Sequence, residues 1–192
     1  GCSVDAHDRA ICTGVFRGWP KTRMGSPNAR IRGRVASGTR IGREAMQALI
    51  RGTEAKDLTA IHAIETASFS SPWSLDALEH ELVNPISHNY VLVEDGNVIG
   101  YICYWMIIDE VHLLNIVIHP DHRGNGWSRF LMFHMIEQSK AENMKKIVLE
   151  VRENNHAAIR LYERYKFAPV GRIANYYPED KQDAIIMQRD LS

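Results

Sequence analysis

The chain has 192 residues, 45% of them hydrophobic and 24% charged, and its 23 basic side chains are cancelled by 23 acidic ones. That is the composition of an ordinary globular domain, and a chain of this length buries enough apolar surface to hold a core without metal or disulfide staples, which excludes collagen, coiled coil and disulfide-knotted toxin. The longest apolar run, Val98 to Ile108, is broken by Gly100 and falls well short of the ~20 residues a membrane helix needs, so no helical span and no membrane partner are expected.

The neutral total hides a division. Residues 1 to 56 carry 11 basic and 4 acidic side chains, a net of +7, and residues 57 to 192 carry the remaining 12 and 19, a net of −7. The first 45 residues also hold seven glycines, Pro20 and Pro27, and an arginine series at Arg30, Arg32, Arg34, Arg40 and Arg43 with no apolar period. Such a segment buries too little apolar surface to offset its ordering entropy. It reads as an organelle presequence, a nucleic-acid-binding tail or a non-native extension; the last is preferred, because patterned sequence opens at Met46. The domain expected to fold is 46 to 192. Cys2, Cys12 and Cys103 are odd in number and lack ligand spacing, which fits a reducing compartment and a cytoplasmic location.

From Met46 the elements follow in order. Leu58, Ile61, His62 and Ile64 predict a helix capped by Asp57, and Ser71-Pro72-Trp73 predicts the start of a second, with Leu75, Leu78 and Leu82 on one face. Tyr90 to Glu94 and Val98 to Ile108 flank Asp95-Gly96-Asn97 as a β-hairpin, and Val111 to Ile118 is a third strand. Gly126 to Ala141 is an amphipathic helix, Lys146 to Val151 a β-branched strand, Asn155 to Tyr165 a helix, and Ala168 to Tyr176 and Asp183 to Arg189 two final strands. This order implies an α/β (α+β) fold, a mixed and mostly antiparallel sheet of about six to seven strands flanked by helices.

Chemistry is suggested where a strand meets a helix. In Arg123-Gly124-Asn125-Gly126-Trp127-Ser128 the glycines let backbone approach a ligand, and the following helix start offers unpaired N–H groups to phosphate, with Arg123 adding charge at the mouth. The segment is neither a Walker A loop nor a Rossmann fingerprint, and alone it reads equally as a light turn with a helix cap. Asn155 and Tyr162 lie two turns apart on one helix, and Glu150 lies near the end of the preceding strand. Taken singly these are a cap, a core aromatic and a solvated acid. Together they are an amide, a phenol and a carboxylate around one anion site. His119 and His122 flank Pro120 without a third ligand, so no metal is expected.

These motifs resemble the GNAT (Gcn5-related) N-acetyltransferases. The loop 123–128 matches the family's Q/R-x-x-G-x-G/A except at Ser128, and the match runs on through Val151-Arg152, Asn155, Ala158 and Leu161-Tyr162-Glu163. Within the family the chain looks like the bacterial RimI subfamily of ribosomal-protein-alanine N-acetyltransferases, through Phe69-Ser70-Ser71-Pro72-Trp73, Asn115-Ile116-Val117-Ile118, Leu149-Glu150-Val151-Arg152, Asn175-Tyr176-Tyr177-Pro178 and Asp183 to Met187. The resemblance implies a GNAT fold, acetyl-CoA as co-substrate and direct transfer without a metal or an acyl-enzyme. It implies that Ile116, Val117 and Ile118 face the pantetheine arm and thioester. Arg123, Gly124, Asn125, Gly126, Trp127, Ser128, Arg129 and Asn155 would hold the cofactor, with Glu150 as general base, Tyr162 as general acid, and Phe69, Trp73, Tyr176 and Tyr177 bordering a peptide groove. The implied partner is a protein N-terminus, an alanine on a small-subunit ribosomal protein, and nucleic acid is not an expected partner. The alternatives are a GNAT acting on lysine or a small amine, and a nucleic-acid-binding module built on the arginine-rich tail. Lys166 stands where the family has glycine, at a helix end that requires left-handed backbone.

Overall fold

The computed structural model describes residues 29–31, 48–177 and 180–191. The readings of the basic segment, the opening at Met46 and Pro178 fall outside these residues, apart from Ala29–Ile31. Among the described residues eight strands form one sheet: β1 (Ala29–Ile31), β2 (Ala48–Gly52), β3 (Ser87–Glu94), β4 (Asn97–Ile107), β5 (Glu110–Ile118), β6 (Lys146–Arg152), β7 (Ala168–Tyr177) and β8 (Gln182–Asp190), in the spatial order β1-β2-β3-β4-β5-β6-β8-β7. Every neighbouring pair is antiparallel except β5 and β6. The helices are α1 (Leu58–Ser68), α2 (Leu75–Val83), α3 (Trp127–Ala141) and α4 (His156–Arg164).

Alternation along each strand divides the core into two layers. Ile50, Leu92, Ile102, Tyr104, Val111 and Leu113 point to the α3–α4 face, packing on Leu131, Met132, Met135 and Tyr162. Val91, Tyr101, Cys103 and Val117 point to the other face, against Leu58, Ile61, Ile64 and Leu78 of α1 and α2. A strand between two helical layers is apolar on both sides, which explains the unbroken run of buried residues from Ile99 to Tyr104. Each such aliphatic residue contributes about 1.5–3 kcal/mol through burial. The β3–β4 turn falls where Asp95-Gly96-Asn97 suggests but is a two-residue loop, since Asn97 already pairs with Glu94; Asp95 and Gly96 are both at positive φ, 48° and 82°.

Two boundaries depart from sequence expectation. Strand β2 was not expected, because five residues show too little alternation, yet Ile50 is completely buried. Helix α2 begins at Leu75 and not at Ser71-Pro72. Its cap is Ser74, whose hydroxyl accepts from the Ala77 N–H at 3.2 Å, and Pro72 belongs to the preceding loop. Asp57 does precede α1, but its carboxylate serves another partner. It accepts from Arg51 at 2.6 and 2.8 Å and from the Glu54 N–H at 2.8 Å, tying β2 to α1, and the Arg51 hydrogen bond holds it below the usual carboxylate range.

Candidate active site

The centre of the sheet opens where its one parallel pairing stops. Strand β5 runs beside β6 from Glu110↔Lys146 to Leu113↔Leu149 and no farther. The cause is a β-bulge: on β4, Tyr104 opposes Leu113 and Cys103 opposes Asn115, so Leu114 is an extra residue. The bulge bends the strand and reverses its parity. Val111 and Leu113 face the α3 layer before it, and Ile116 and Ile118 face that layer after it. The half of β5 from Asn115 to Ile118 therefore separates from β6, and its edge carries main-chain groups that β6 no longer pairs. Beyond the same point β6 continues along β8 alone, with Glu150 opposite Ile186. Glu150, the sequence candidate for a base, is exposed and is the first residue of β6 past the last parallel pair.

The splayed strand leads into the glycine loop. Pro120–His122 forms a single 3-10 turn, capped by His119 Nδ1, which accepts from the Asp121 N–H at 3.3 Å. His122 Nδ1 lies 3.0 Å from Glu94 Oε2, fixing the turn to the end of β3. Gly124 and Gly126 both adopt left-handed backbone, φ 82° and 81°. A Cβ on either would meet nothing within 4 Å, so these positions need glycine for conformation and not for space. The turn directs the chain into α3, and the N–H groups of Gly124 to Ser128 donate to no partner among the described residues, the first backbone bond being Arg129 N–H to Gly126 O at 3.0 Å. An array of free amides at the start of a 15-residue helix is an anion cradle.

Arg123 is also tied down within the protein. Its guanidinium turns back along the loop, Nε donating to the Ile118 carbonyl at 3.0 Å and a terminal nitrogen to Ser68 Oγ at 2.9 Å. It clamps the loop to β5 and α1. Trp127 packs on Phe130, ring centroids 5.4 Å apart, and Ser128 is half-buried in the first turn of α3.

Helix α4 closes the other side. Asn155 is its N-cap, with Oδ1 accepting from the Ala158 N–H at 3.1 Å, so the amide nitrogen is what remains to meet a ligand. Tyr162, one face of the same helix inward, is 7% exposed and tilted against Phe167 at 5.9 Å. The Tyr165 hydroxyl donates to the Arg129 carbonyl at 2.8 Å, which joins α4 to the first turn of α3. The aromatic candidates fall into two groups. Phe69 and Trp73 lie in the α1–α2 loop. Tyr176 and Tyr177 lie at the end of β7 with rings 5.0 Å apart, and the Arg152 guanidinium sits 3.7 Å over the Tyr177 ring and pairs with Asp180 at 2.8 Å. Among the described residues no group of three His, Cys, Asp or Glu side chains could share a metal ion.

Sequence reading missed one polar centre. Glu65 of α1 is completely buried and accepts from the Tyr101 hydroxyl, from Asn115 Nδ2 at 3.1 Å and from the Trp73 N–H at 2.8 Å. Its signal was its spacing, four residues after Ile61 and seven after Leu58, on the stripe that faces the sheet.

Comparison with known proteins gives a consistent set of similarities. The model of the Acetyltransferase (GNAT) family matches residues 58–167. A Bacillus subtilis (strain 168) protein, provisionally named a ribosomal protein bS18-alanine N-acetyltransferase, is 36% identical over 142 residues, which cover 73% of this chain and 94% of that protein. The ribosomal protein bS18-alanine N-acetyltransferase of Escherichia coli (strain K12) is 32% identical over 145 residues, covering 74% and 97%. The crystal structure of the ribosomal-protein-S18-alanine N-acetyltransferase from Escherichia coli aligns with a TM-score of 0.71 at 31% identity, over 76% of this chain and 94% of that one.

Proposed function

The chain belongs to the GNAT acetyltransferase family and is an acetyl-CoA-dependent N-acetyltransferase, and from that premise we propose that its acceptor is the α-amine of a protein N-terminus, an alanine on a basic small-subunit ribosomal protein in the cytoplasm. The observation that carries the proposal is the opening between β5 and β6, bounded by the amide cradle at one end and by Glu150 on the wall. Similarity to two bacterial enzymes named for that substrate supports the choice of acceptor.

In this reading the free amides of Gly124 to Ser128, with Arg129 and the Asn155 side chain beside them, hold the diphosphate and its surroundings. The free edge of Ile116 to Ile118 receives the pantetheine arm and donates to the thioester oxygen as charge develops there, a contribution of about 3–4 kcal/mol per donor. Glu150 takes the proton of the attacking amine, directly or through water, and Tyr162 returns a proton to the departing CoA sulfur. Phe69, Trp73, Tyr176 and Tyr177 border the groove for the acceptor. An α-amine has a pKa of ~8 against ~10.4 for lysine, so at neutral pH roughly one terminus in ten is already nucleophilic, and a mild base suffices. The net −7 of residues 57 to 192 steers a basic peptide toward the protein. No helix among the described residues is long and apolar enough to cross a membrane.

The test is product mapping by mass spectrometry after incubation with acetyl-CoA and three acceptors: an alanine-initiated basic peptide, its N-terminally blocked counterpart containing lysine, and a small polyamine. One acetyl group on the α-amine of the first is expected. Glu150→Gln and Tyr162→Phe should each lower its kcat by about 10²–10⁴-fold without weakening acetyl-CoA binding. Modification of lysine or polyamine alone would contradict the assigned acceptor, and full activity in both variants would remove their roles.

A further inference from the structure

Helix α1 presents Leu58, Ile61 and Ile64 to the sheet, and a carboxylate, Glu65, occupies the same buried face. Burying a carboxylate costs several kcal/mol unless donors surround it. Here the donors come from three separate elements. The Tyr101 hydroxyl belongs to β4, Asn115 to β5, and the Trp73 N–H to the α1–α2 loop; Asn115 Nδ2 also lies 2.7 Å from the Tyr101 oxygen. No Lys or Arg among the described residues pairs with Glu65 within 4 Å. The loop is further held by His62 Nδ1, 3.0 Å from the Trp73 carbonyl.

The position of these partners matters more than their number. Asn115 directly follows the bulge residue Leu114 and begins the splayed half of β5. Trp73 belongs to the loop assigned to the acceptor groove. We infer that Glu65 is a positioning residue for acetyl transfer: by grasping the α1–α2 loop with one oxygen and the splayed strand with the other, it fixes the distance between the acceptor amine and the thioester. The inference rests on the functional reading given above. An aliphatic side chain would fill the same volume and serve stability as well or better. It would remove the Glu65 oxygens from the Trp73 N–H and the Asn115 amide and so undo the tie that Glu65 makes between the loop and the strand. A glutamine would keep one acceptor and turn its own NH₂ toward a donor, restoring part of the tie. The free amides of the diphosphate cradle begin at Gly124, beyond Ile118, and none of the donors to Glu65 comes from that loop.

Misplacement of reacting groups by about 1 Å costs up to about 10²-fold in rate, so the loss should fall on the acceptor and not on the cofactor. Four proteins decide the matter: wild type, Glu65→Leu, Glu65→Gln, and Leu78→Ala as a destabilised control in the same helical layer. Steady-state kinetics with the alanine-initiated peptide, acetyl-CoA titration and melting temperature are measured for each. Glu65→Leu should lower kcat/KM for the peptide about tenfold or more with acetyl-CoA affinity within about twofold, Glu65→Gln should recover part of the loss, and Leu78→Ala should melt earlier with peptide kinetics unchanged. If Glu65→Leu does not fold, the Glu65→Gln protein carries the comparison. Folded Glu65 variants with wild-type peptide kcat/KM, or with losses shared equally by acetyl-CoA binding, overturn the positioning role. Absence of any turnover by wild type removes the functional reading, and this inference with it.

Discussion

Lys166 shows how a single residue's backbone can be inferred from its neighbours. It follows α4 with φ 64°, the Phe167 N–H reaches back to the Tyr162 carbonyl at 3.1 Å, and the Lys166 N–H to that of Glu163 at 2.9 Å. That is a Schellman ending, completed by the contact between the Phe167 and Tyr162 rings. A lysine there bears the left-handed strain that glycine avoids, so Lys166→Gly should stabilise by about 1 kcal/mol, raising the melting temperature about 2–4 °C. Calorimetric scans of the two proteins check this; an unchanged or lower value would mean the lysine side chain compensates. Conformation was legible here because it follows from local chain geometry. The direction of a polar side chain was not. Arg123 reads as a phosphate ligand from its place in the loop, and its hydrogen bond to Ser68, 55 positions away, which clamps the loop to α1, has no sign in the sequence. Glu65 was hidden for the same reason, its partners Tyr101 and Asn115 being brought to it only by the sheet.

Elements with strong periodicity were the legible ones. The helix after the glycine loop and the β3–β4 hairpin follow from their own sequences, since an amphipathic stripe and an Asp-Gly turn each specify a local conformation. Strand β2 was missed because five residues cannot display a period, and its place is set by pairing with β3 from Ala48↔Glu94 to Gly52↔Tyr90. The start of α2 was misjudged because two serines compete to cap it. Ser74 prevails when Trp73 gives its N–H to Glu65, which holds the intervening residues as loop. The bulge at Leu114 has no sequence signature of its own, because apolar residues stand on both sides of it and both faces of β5 are covered. The loop proposed to bind phosphate could thus be named from its own residues, whereas the splay proposed to receive the thioester has no pattern of its own in the sequence and was implied only by the resemblance.

At the scale of the molecule, the layer between α3 and the sheet contains a set of buried and half-buried rings. His88 stacks on Tyr104 at 5.3 Å, and His134 meets the edge of Tyr90 at 4.4 Å. Burial pushes both histidines below the ordinary 6.5, opposed at His88 by the charge of Glu142, and the same burial raises Tyr90 and Tyr104. Both histidines are then held neutral by folding. The unfolded chain binds their protons first, so stability is unaffected well above pH 6.5 and falls as the pH drops below it toward the depressed folded values. Melting temperatures measured downward from pH 7.5 should decline more steeply in wild type than in the His88→Phe, His134→Phe double variant; parallel curves would show that other groups govern the decline.

The charge division, the splayed strand and the amide cradle all serve one claim, that residues 116 to 129 bind acetyl-CoA with its thioester facing Glu150. Titration calorimetry of acetyl-CoA into the folded protein tests it most directly. Saturable one-to-one binding is expected, about tenfold weaker in Gly126→Val, where a β-branched residue must adopt left-handed backbone, and unaltered in Glu150→Gln. No heat with acetyl-CoA or CoA, or a Gly126→Val protein that binds as tightly as wild type, would contradict the account.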